Sequence, residues 1–197
     1  MEISAEKVKE LREKTGLGMM KCKEALQKSG GDFEKAIDYL RKQGLATAEK
    51  KSARATNEGR IFSYVHTNHK IAVLVEINCE TDFVAKSDDF KQLGKDIAMQ
   101  VAAARPLAVS RDDVPTAIIE KEKEIYKEQV KGKPENILDK IVEGKLNAYF
   151  KDVCLLEQAF IKDPDTTIEA IIKAIIAKTG ENITVRRFTR YELGETV

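Results

Sequence analysis

Apolar residues in the first part of the chain recur at the spacing of three short amphipathic helices. Ser4 and Asp32 are residue types that favour helix starts, and the pattern breaks at Gly16 and at Gly30–Gly31. The third helix is predicted to end near Gly44. The apolar positions of the three helices, in order, are Val8 and Leu11; Cys22, Ala25 and Leu26; and Phe33, Ala36, Ile37 and Leu40.

The composition changes after this segment. Residues 46–57 are rich in alanine and lysine and contain no large apolar side chain, which is typical of an exposed helix. We therefore predict a three-helix module at residues 1–45, a helical linker at 46–57 and a core domain at 58–197. A bundle of about 45 residues is near the lower size limit for independent folding.

The hydrophobic period becomes alternating at the start of the predicted core domain. Residues 59–66 and 70–79 have the pattern of strands, and the short polar segment at 67–69 predicts a turn between them. The two strands are therefore expected to form an antiparallel hairpin. One face of the second strand carries Ile71, Val73, Val75 and Ile77, and the other face carries Ala72 and Leu74.

Helical periodicity returns after residue 86. Ser87 is predicted to cap a helix with an acidic first turn, which Pro106 ends. A highly charged helix is predicted at 115–131 and another helix at 134–152. The apolar side of the helix that follows Ser87 carries Phe90, Leu93, Ile97 and Val101.

The end of the chain predicts one more helix and one more strand. Thr166 and Glu169 have the spacing of a capping box, which would open a helix that Gly180 ends. Residues 182–193 have the pattern of a strand. The predicted fold class is α+β, with a small antiparallel sheet packed against helices in the core domain.

Charge and cysteine content exclude several classes of protein. The 34 Lys and Arg residues nearly balance 33 Asp and Glu, whereas general nucleic-acid binders usually carry a basic excess. No apolar run is long enough to span a membrane, and the charged N-terminus does not resemble a signal peptide. Cys22, Cys79 and Cys154 are widely spaced, as expected of free thiols in a reducing compartment. We expect a cytoplasmic protein.

The sequence lacks the common motifs of catalysis and cofactor binding. It contains no P-loop, no GxGxxG and no GxSxG. His66 and His69 lie around the predicted turn without companion ligands, so we interpret them as polar turn residues. Glu80 and Asp82 could act in acid–base chemistry only in a cleft that shifts a pKa. We predict no catalytic residue, no metal site and no cofactor.

Two groups of apolar residues allow both a structural and a functional interpretation. Phe83 lies among polar residues in the segment 78–86, where a loop is expected. It either fills the core beneath the hairpin or is an exposed anchor of a protein interface. Met19 and Met20 either fill the core of the small bundle or serve as adaptable interface residues. Adjacent helical residues point in different directions, which argues against burial of both methionines.

Several motifs, in order over essentially the whole chain, resemble one known family. They are TGLGMMKCKEAL at residues 15–26, GDFEKA at 31–36, CETDFVA at 79–85, GENI at 180–183 and the pair Arg187–Phe188. Together they resemble the bacterial elongation factor Ts family. The resemblance implies a nucleotide exchange factor for elongation factor Tu, in its GDP-bound and nucleotide-free states, and a UBA-like fold for residues 1–45.

The resemblance also implies which residues contact the partner. The family's TDFV segment is associated with disturbing the magnesium region of elongation factor Tu, and it corresponds here to Thr81, Asp82, Phe83 and Val84. In the N-terminal module, Arg12, Met19 and Met20 are implied as a second contact. The chain has strand material for one sheet only, which is similar to the short form of the family. In that form a homodimer can supply the second subdomain.

Two rival functions belong to other classes. A nucleic-acid-binding module, associated with translation, would use Lys50, Lys51, Arg54 and the pair Arg186–Arg187, although no aromatic residues are interleaved with them. A hydrolase would use His66 or Asp82 and would show turnover without a protein partner. The resemblance favours protein binding without direct contact to nucleic acid or membrane.

Overall fold

The computed structural model of the chain describes residues 3–130 and 134–195. It confirms the α+β class. The helices are α1 (Ala5–Thr15), α2 (Met19–Lys28), α3 (Phe33–Lys51), α4 (Asp82–Lys86), α5 (Asp88–Ala104), α6 (Thr116–Gln129), α7 (Glu135–Val153) and α8 (Ile168–Thr179). The strands are β1 (Glu58–Val65), β2 (Ile71–Cys79), β3 (Ala159–Phe160), β4 (Asp163–Thr167) and β5 (Ile183–Glu192).

The described residues form two compact units. The first contains residues 3–60, 77–93 and 170–184, and the second contains the remainder of the described chain. The candidate site residues inferred from the sequence all belong to the first unit. The predicted independence of residues 1–45 as a folding module stays a prediction.

The first and third helices begin where the sequence predicts. The Ser4 hydroxyl accepts a hydrogen bond from the Lys7 N–H at 3.4 Å, and the Asp32 carboxylate accepts one from the Lys35 N–H at 3.0 Å. Gly16 ends α1 with a φ of 67°, a left-handed conformation that glycine adopts without steric cost. The buried residues of this bundle are Val8, Leu11, Cys22, Ala25, Leu26, Ala36 and Leu40.

The predicted end of the third helix near Gly44 is wrong. Helix α3 continues to Lys51, so the first half of the predicted linker at 46–57 is its last part. Ala48 is only 3% exposed, and Gly44 packs closely against the side chain of Ala177 in α8. Small residues allow this close approach, which explains why the segment lacks large apolar side chains and is nevertheless partly buried.

The three-stranded sheet has the order β1-β2-β5. The predicted hairpin is confirmed, because the His66 N–H donates to the Ile71 carbonyl at 2.9 Å across the turn. Strand β5 runs antiparallel to β2, since Leu193 pairs with Lys70 at one end and Arg187 contacts Glu76 further along. In β2 the side chains of Val73, Val75, Ile77 and Cys79 are buried, as the alternating pattern predicts.

A second sheet corrects the expectation of strand material for one sheet only. Strands β3 and β4 form a short antiparallel pair in the second unit. The buried side chain of Gln100 accepts a hydrogen bond from the Ile161 N–H and donates one to the Ala159 carbonyl, which fixes this hairpin on α5. The predicted capping box is wrong, because Thr166 lies in β4 and its hydroxyl donates to the Asp163 carboxylate.

The charged helix predicted at 115–131 and the helix predicted at 134–152 correspond to α6 and α7, which pack on each other. Residue 131, the last of the first predicted helix, lies outside the described residues. A buried hydrophobic cluster includes Leu146 and Phe150 of α7 and Cys154, which directly follows this helix. No helix in the described part of the chain is both long enough and apolar enough to cross a membrane.

Candidate functional site

The segment expected to be a loop after β2 contains the short helix α4. Thr81 precedes the helix in an extended conformation, with a φ of −129° and a ψ of 158°. Its hydroxyl oxygen accepts a hydrogen bond from the Val84 N–H at 3.5 Å, which satisfies one of the free amide groups of the first turn. Five residues are too few to show helical periodicity, so the pattern could not predict this helix.

Phe83 is the most exposed aromatic residue described in the first unit. Its side chain is 83% exposed, whereas Ala85 on the same helix is only 4% exposed and anchors α4 to the core. The interpretation of Phe83 as a core residue is therefore wrong. Such exposure of a large ring costs free energy in water and favours burial against another surface.

Asp82 presents a carboxylate beside Phe83. Lys86, one turn further along α4, contacts the Asp82 Oδ2 atom through its Nζ atom at 2.6 Å. This hydrogen bond and the charge of Lys86 lower the pKa of Asp82 below its ordinary value. The group is therefore anionic at neutral pH, and it suits an electrostatic role better than that of a proton carrier.

The first residue of the site is held by a carboxylate far away in the sequence. The Thr81 N–H donates to Glu181 Oε2 at 2.9 Å, and the Thr81 hydroxyl donates to Glu181 Oε1 at 2.6 Å. The Cys79 thiol donates to the Thr81 carbonyl at 3.1 Å. Burial raises the pKa of the Cys79 thiol to about 11, so the sulfur stays protonated and able to donate.

A second set of contacts connects the same segment to the end of α3. The Asn182 side-chain amide donates to the carbonyls of Ser52 at 3.2 Å and Arg54 at 2.9 Å. The Asn182 N–H donates to Glu80, and the Lys51 ammonium donates to the Gly180 carbonyl. Residues 180–182 thus contact both the segment that carries α4 and the end of α3.

Arg12, Met19 and Met20 lie on the surface of the three-helix bundle. Met19 and Met20 open α2 and are 51% and 77% exposed, so the interpretation that they fill the core is wrong. Arg12 lies in the last turn of α1, and its side chain is exposed. These residues and the segment 81–84, in which Asp82 and Phe83 are exposed and Thr81 and Val84 are partly buried, all belong to the first unit.

The contacts of the other candidate residues argue against the rival chemistries. The His66 ring accepts from or donates to the Tyr64 hydroxyl at 2.9 Å, and the described residues contain no cluster of three possible metal ligands. Glu80 and Asp82 are not a carboxylate pair with a shared proton. Each has its own partners, and the pKa of both groups is lowered.

Three of the basic residues considered for nucleic-acid binding have protein partners. Lys51 donates to Gly180, Arg54 contacts Glu80 at 3.5 Å, and Arg187 contacts Glu76 at 2.8 Å. The carboxylates beside Arg54 and Arg187 reduce the net charge that these two groups would offer to a phosphate.

Two cavities in the described part of the chain are small. One of about 150 Å³ lies between α2, α3 and Ala177, and one of about 170 Å³ lies on the sheet beside Leu74 and Phe188. Sites for drug-sized ligands usually enclose about 300–1,000 Å³. The exposed side chains, rather than these cavities, are therefore the stronger candidates for a functional site.

Glu181 and Asn182 are the residues of the site that sequence reasoning missed. The motif GENI at 180–183 contributed to the family resemblance, but no local pattern indicates a contact with residues 100 positions earlier. The only available signal was a polar pair at the junction between the predicted helix that Gly180 ends and the predicted strand at 182–193.

These observations describe an α+β protein whose candidate site is a surface rather than a cleft. The family model for elongation factor TS matches residues 23–195. Elongation factor Ts of Thermotoga petrophila is 60% identical over 195 residues, which cover 99% of this chain and 98% of that protein. Elongation factor Ts of Thermodesulfovibrio yellowstonii is 59% identical over 197 residues, which cover 100% of this chain and 98% of that protein. The chain belongs to the elongation factor Ts family of translation elongation factors.

Proposed function

We propose that the chain is a guanine-nucleotide exchange factor for elongation factor Tu. It would bind the GDP-bound form of that GTPase, disturb its magnesium and phosphate site, and promote GDP release so that GTP can bind. The proposal follows from membership of the family. The observation that carries it is the exposure of Phe83 on α4, a short helix whose preceding residue, Thr81, is held by Glu181.

Exchange of this kind depends on a difference in affinity of the exchange factor for the nucleotide-free and the GDP-bound states of the GTPase. A GTPase holds GDP through backbone amides around the phosphates and through a magnesium ion. An exchange factor that binds the nucleotide-free GTPase more tightly than the GDP-bound form weakens GDP binding by the same ratio. GTP binding in turn weakens binding of the exchange factor. A factor with equal affinity for both states would shift nothing. No covalent step and no cofactor of the chain's own is needed.

Residues 81–84 would carry the disturbance of the magnesium region. Phe83 would insert between side chains of the partner, where removal of its ring from water favours the complex. Asp82, anionic at neutral pH, would act through charge and hydrogen bonds. Thr81 and Val84 would support these two side chains, since the Val84 N–H donates to the Thr81 hydroxyl oxygen at the start of α4.

Arg12, Met19 and Met20 would form a second contact with the partner. Methionine side chains are flexible and polarisable, and they adapt to irregular apolar surfaces. Both methionines are exposed at the start of α2, and the guanidinium of Arg12 adds a positive charge on α1. This contact would increase affinity without acting on the nucleotide site directly.

We also propose that two copies of the chain associate. Strands β1 and β5 are the outer strands of the three-stranded sheet. Ile61, Leu74, Tyr191 and Leu193, on or directly after the strands of this sheet, are exposed apolar side chains. A second copy that covers this surface would remove it from water and pair or shield an open strand edge. In the alternative, α6 covers the edge and one copy of the chain suffices.

Release of fluorescent GDP from elongation factor Tu, followed by stopped flow, tests the exchange activity. We expect the chain to accelerate release, with a rate that saturates as its concentration rises. An unchanged release rate would refute the proposal. Weak binding to RNA with little dependence on salt is expected in a parallel titration, whereas tight binding that falls steeply with salt would favour the nucleic-acid-binding rival.

Sedimentation equilibrium at micromolar concentration tests the association of two copies. We expect a mass of about twice the chain's 22.1 kDa. Substitution of Leu74 by aspartate should shift the mass towards that of one chain, because a buried unpaired charge opposes the interface. A mass of one chain over the whole concentration range would contradict the dimer.

A further inference from the structure

The carboxylate of Glu181 makes two hydrogen bonds to one residue, Thr81, directly before α4. One oxygen accepts the backbone N–H at 2.9 Å, and the other accepts the hydroxyl at 2.6 Å. Both bonds are charge-assisted, which makes them stronger than neutral hydrogen bonds. Because they involve the backbone and the side chain of the same residue, they restrict both the position of Thr81 and its orientation.

We propose that Glu181 is a positioning residue for nucleotide exchange: it holds Thr81, and through Thr81 it presents Asp82 and Phe83 in one fixed orientation. The expected effect of Glu181 on nucleotide exchange rests on the proposed function. With Glu181, the site extends from residues 81–84 to a residue that does not itself need to contact the partner.

Helix α4 needs such support because it is short. It comprises five residues, whereas isolated helices below about 12–15 residues are marginal in water. Within the helix, Ala85 donates its N–H to the Thr81 carbonyl at 3.2 Å, so the conformation of Thr81 determines where the first turn begins. A mobile Thr81 would therefore leave the Phe83 ring without a defined direction.

Glu181 is itself well fixed. Its N–H donates to the Thr179 hydroxyl at 3.3 Å, and that hydroxyl donates to the Ile175 carbonyl within α8. On its other side, the Asn182 N–H donates to the Glu80 carboxylate at 2.7 Å. The carboxylate of Glu181 is thus held between the end of α8 and the segment that it supports.

Hydrogen exchange of the free protein tests the positioning without any partner. Glu181→Ala should increase the exchange rate of the amides of Thr81 and residues 82–86 by about tenfold, because loss of a hydrogen bond to a charged group changes an equilibrium by at least that factor. Glu181→Gln should give a smaller increase. Unchanged exchange in both variants would overturn the positioning role, whatever the outcome of the exchange assay.

Stimulated GDP release tests the consequence for function. Glu181→Ala should lower the release rate at saturating factor, and Thr81→Val should do the same because it removes the hydroxyl. Thr81→Ser keeps both hydrogen bonds to Glu181 and should therefore lower the rate less than Thr81→Val does. Glu143→Ala on α7 is a matched control, because it removes an exposed carboxylate in the second unit and should leave the rate unchanged.

A double-mutant cycle separates positioning from a general loss of stability. If Glu181 acts through Phe83, Glu181→Ala should have a smaller effect in the Phe83→Ala background than in the wild type. Fully additive effects would overturn the proposal. Wild-type protein is the reference: if it fails to accelerate release, the proposed function fails, while the hydrogen-exchange result still decides whether Glu181 positions α4.

Discussion

The Glu80 carboxylate accepts a hydrogen bond from the backbone N–H of Asn182 at 2.7 Å, between residues 102 positions apart in the sequence. The pKa of Glu80 is lowered below its ordinary value of 4.5, first by this hydrogen bond and then by the charge of Arg54. A carboxylate with a lowered pKa in the folded state stabilises the fold only while it is ionised. Its contribution is present above pH 4.5 and is lost as the pH falls through the lower folded-state pKa.

The variant Glu80→Gln tests this dependence on pH. The amide side chain can still accept the hydrogen bond from Asn182, but it does not ionise. We expect the wild type to have the higher free energy of unfolding at pH 7 and the difference from the variant to shrink below about pH 4.5. Urea unfolding between pH 3 and pH 7 measures the free energy of unfolding of both proteins. A difference between wild type and variant that stays constant over this range would contradict the stabilising role of ionised Glu80.

Phe83→Ala should slow stimulated GDP release and leave the melting temperature unchanged, because the ring is exposed in the free protein. Truncation of an interface anchor typically costs about 2 kcal/mol, or roughly thirtyfold in an equilibrium constant. Phe90→Ala is the contrasting variant. Phe90 is fully buried in α5, so its loss should reduce the free energy of unfolding by about 3–5 kcal/mol. A large drop in stability for Phe83→Ala would refute its surface role.

Two helical glycines should respond in opposite ways to alanine. A Cβ atom at Gly94 in α5 would collide with the ring of Phe62, whereas one at Gly144 in α7 would meet no atom within 4 Å. We expect Gly144→Ala to stabilise the protein by up to about 1 kcal/mol through helix propensity. Gly94→Ala should instead destabilise it by about 1–3 kcal/mol through overpacking. Urea unfolding of both variants measures the effects, and stabilisation by Gly94→Ala would contradict the packing.

Deletion of residues 1–45 tests the predicted module boundary. The contacts of Lys51 with Gly180 and of Asn182 with Ser52 lie outside the deleted segment, so we expect residues 46–197 to remain folded. The truncated chain would lack Arg12, Met19 and Met20 and should bind elongation factor Tu less tightly. Circular dichroism and a binding titration provide the measurements. An unfolded product would show that the three helices and the remainder fold as one unit.

Elements with a strong period were predictable from the sequence, and elements determined by distant contacts were not. The alternation in β2 and the apolar stripe of α5 are long enough to identify each element and its buried face. Strand β4, DPDTT, has no alternation of apolar residues, and the side chain of Gln100 supports the hairpin to which it belongs. The last part of α3 is partly buried, and Gly44 packs against Ala177 of α8, a contact that local pattern does not reveal.

The sequence indicated the candidate residues 81–84, whose role stays a prediction, but it did not indicate the contacts that hold them. The aromatic residue in a polar segment identified Phe83, and the motifs identified its neighbours. The choice between core and surface for Phe83 required the structure, because burial depends on what packs against the segment. The contact on which the proposed role of Glu181 rests was inaccessible for the same reason, since it joins residues 100 positions apart.

The uninterrupted course of α3 to Lys51 has a thermodynamic consequence. A flexible linker at 46–57 would leave the module free to sample many orientations, and an interface that used both groups of exposed residues would have to restrict that freedom on binding. A continuous helix, fastened at its end through Lys51 and Ser52 to residues 180–182, has already lost most of this conformational entropy during folding. Binding to a partner then does not have to restrict the orientation of the module. The same contact area therefore yields a higher affinity than it would with a flexible linker.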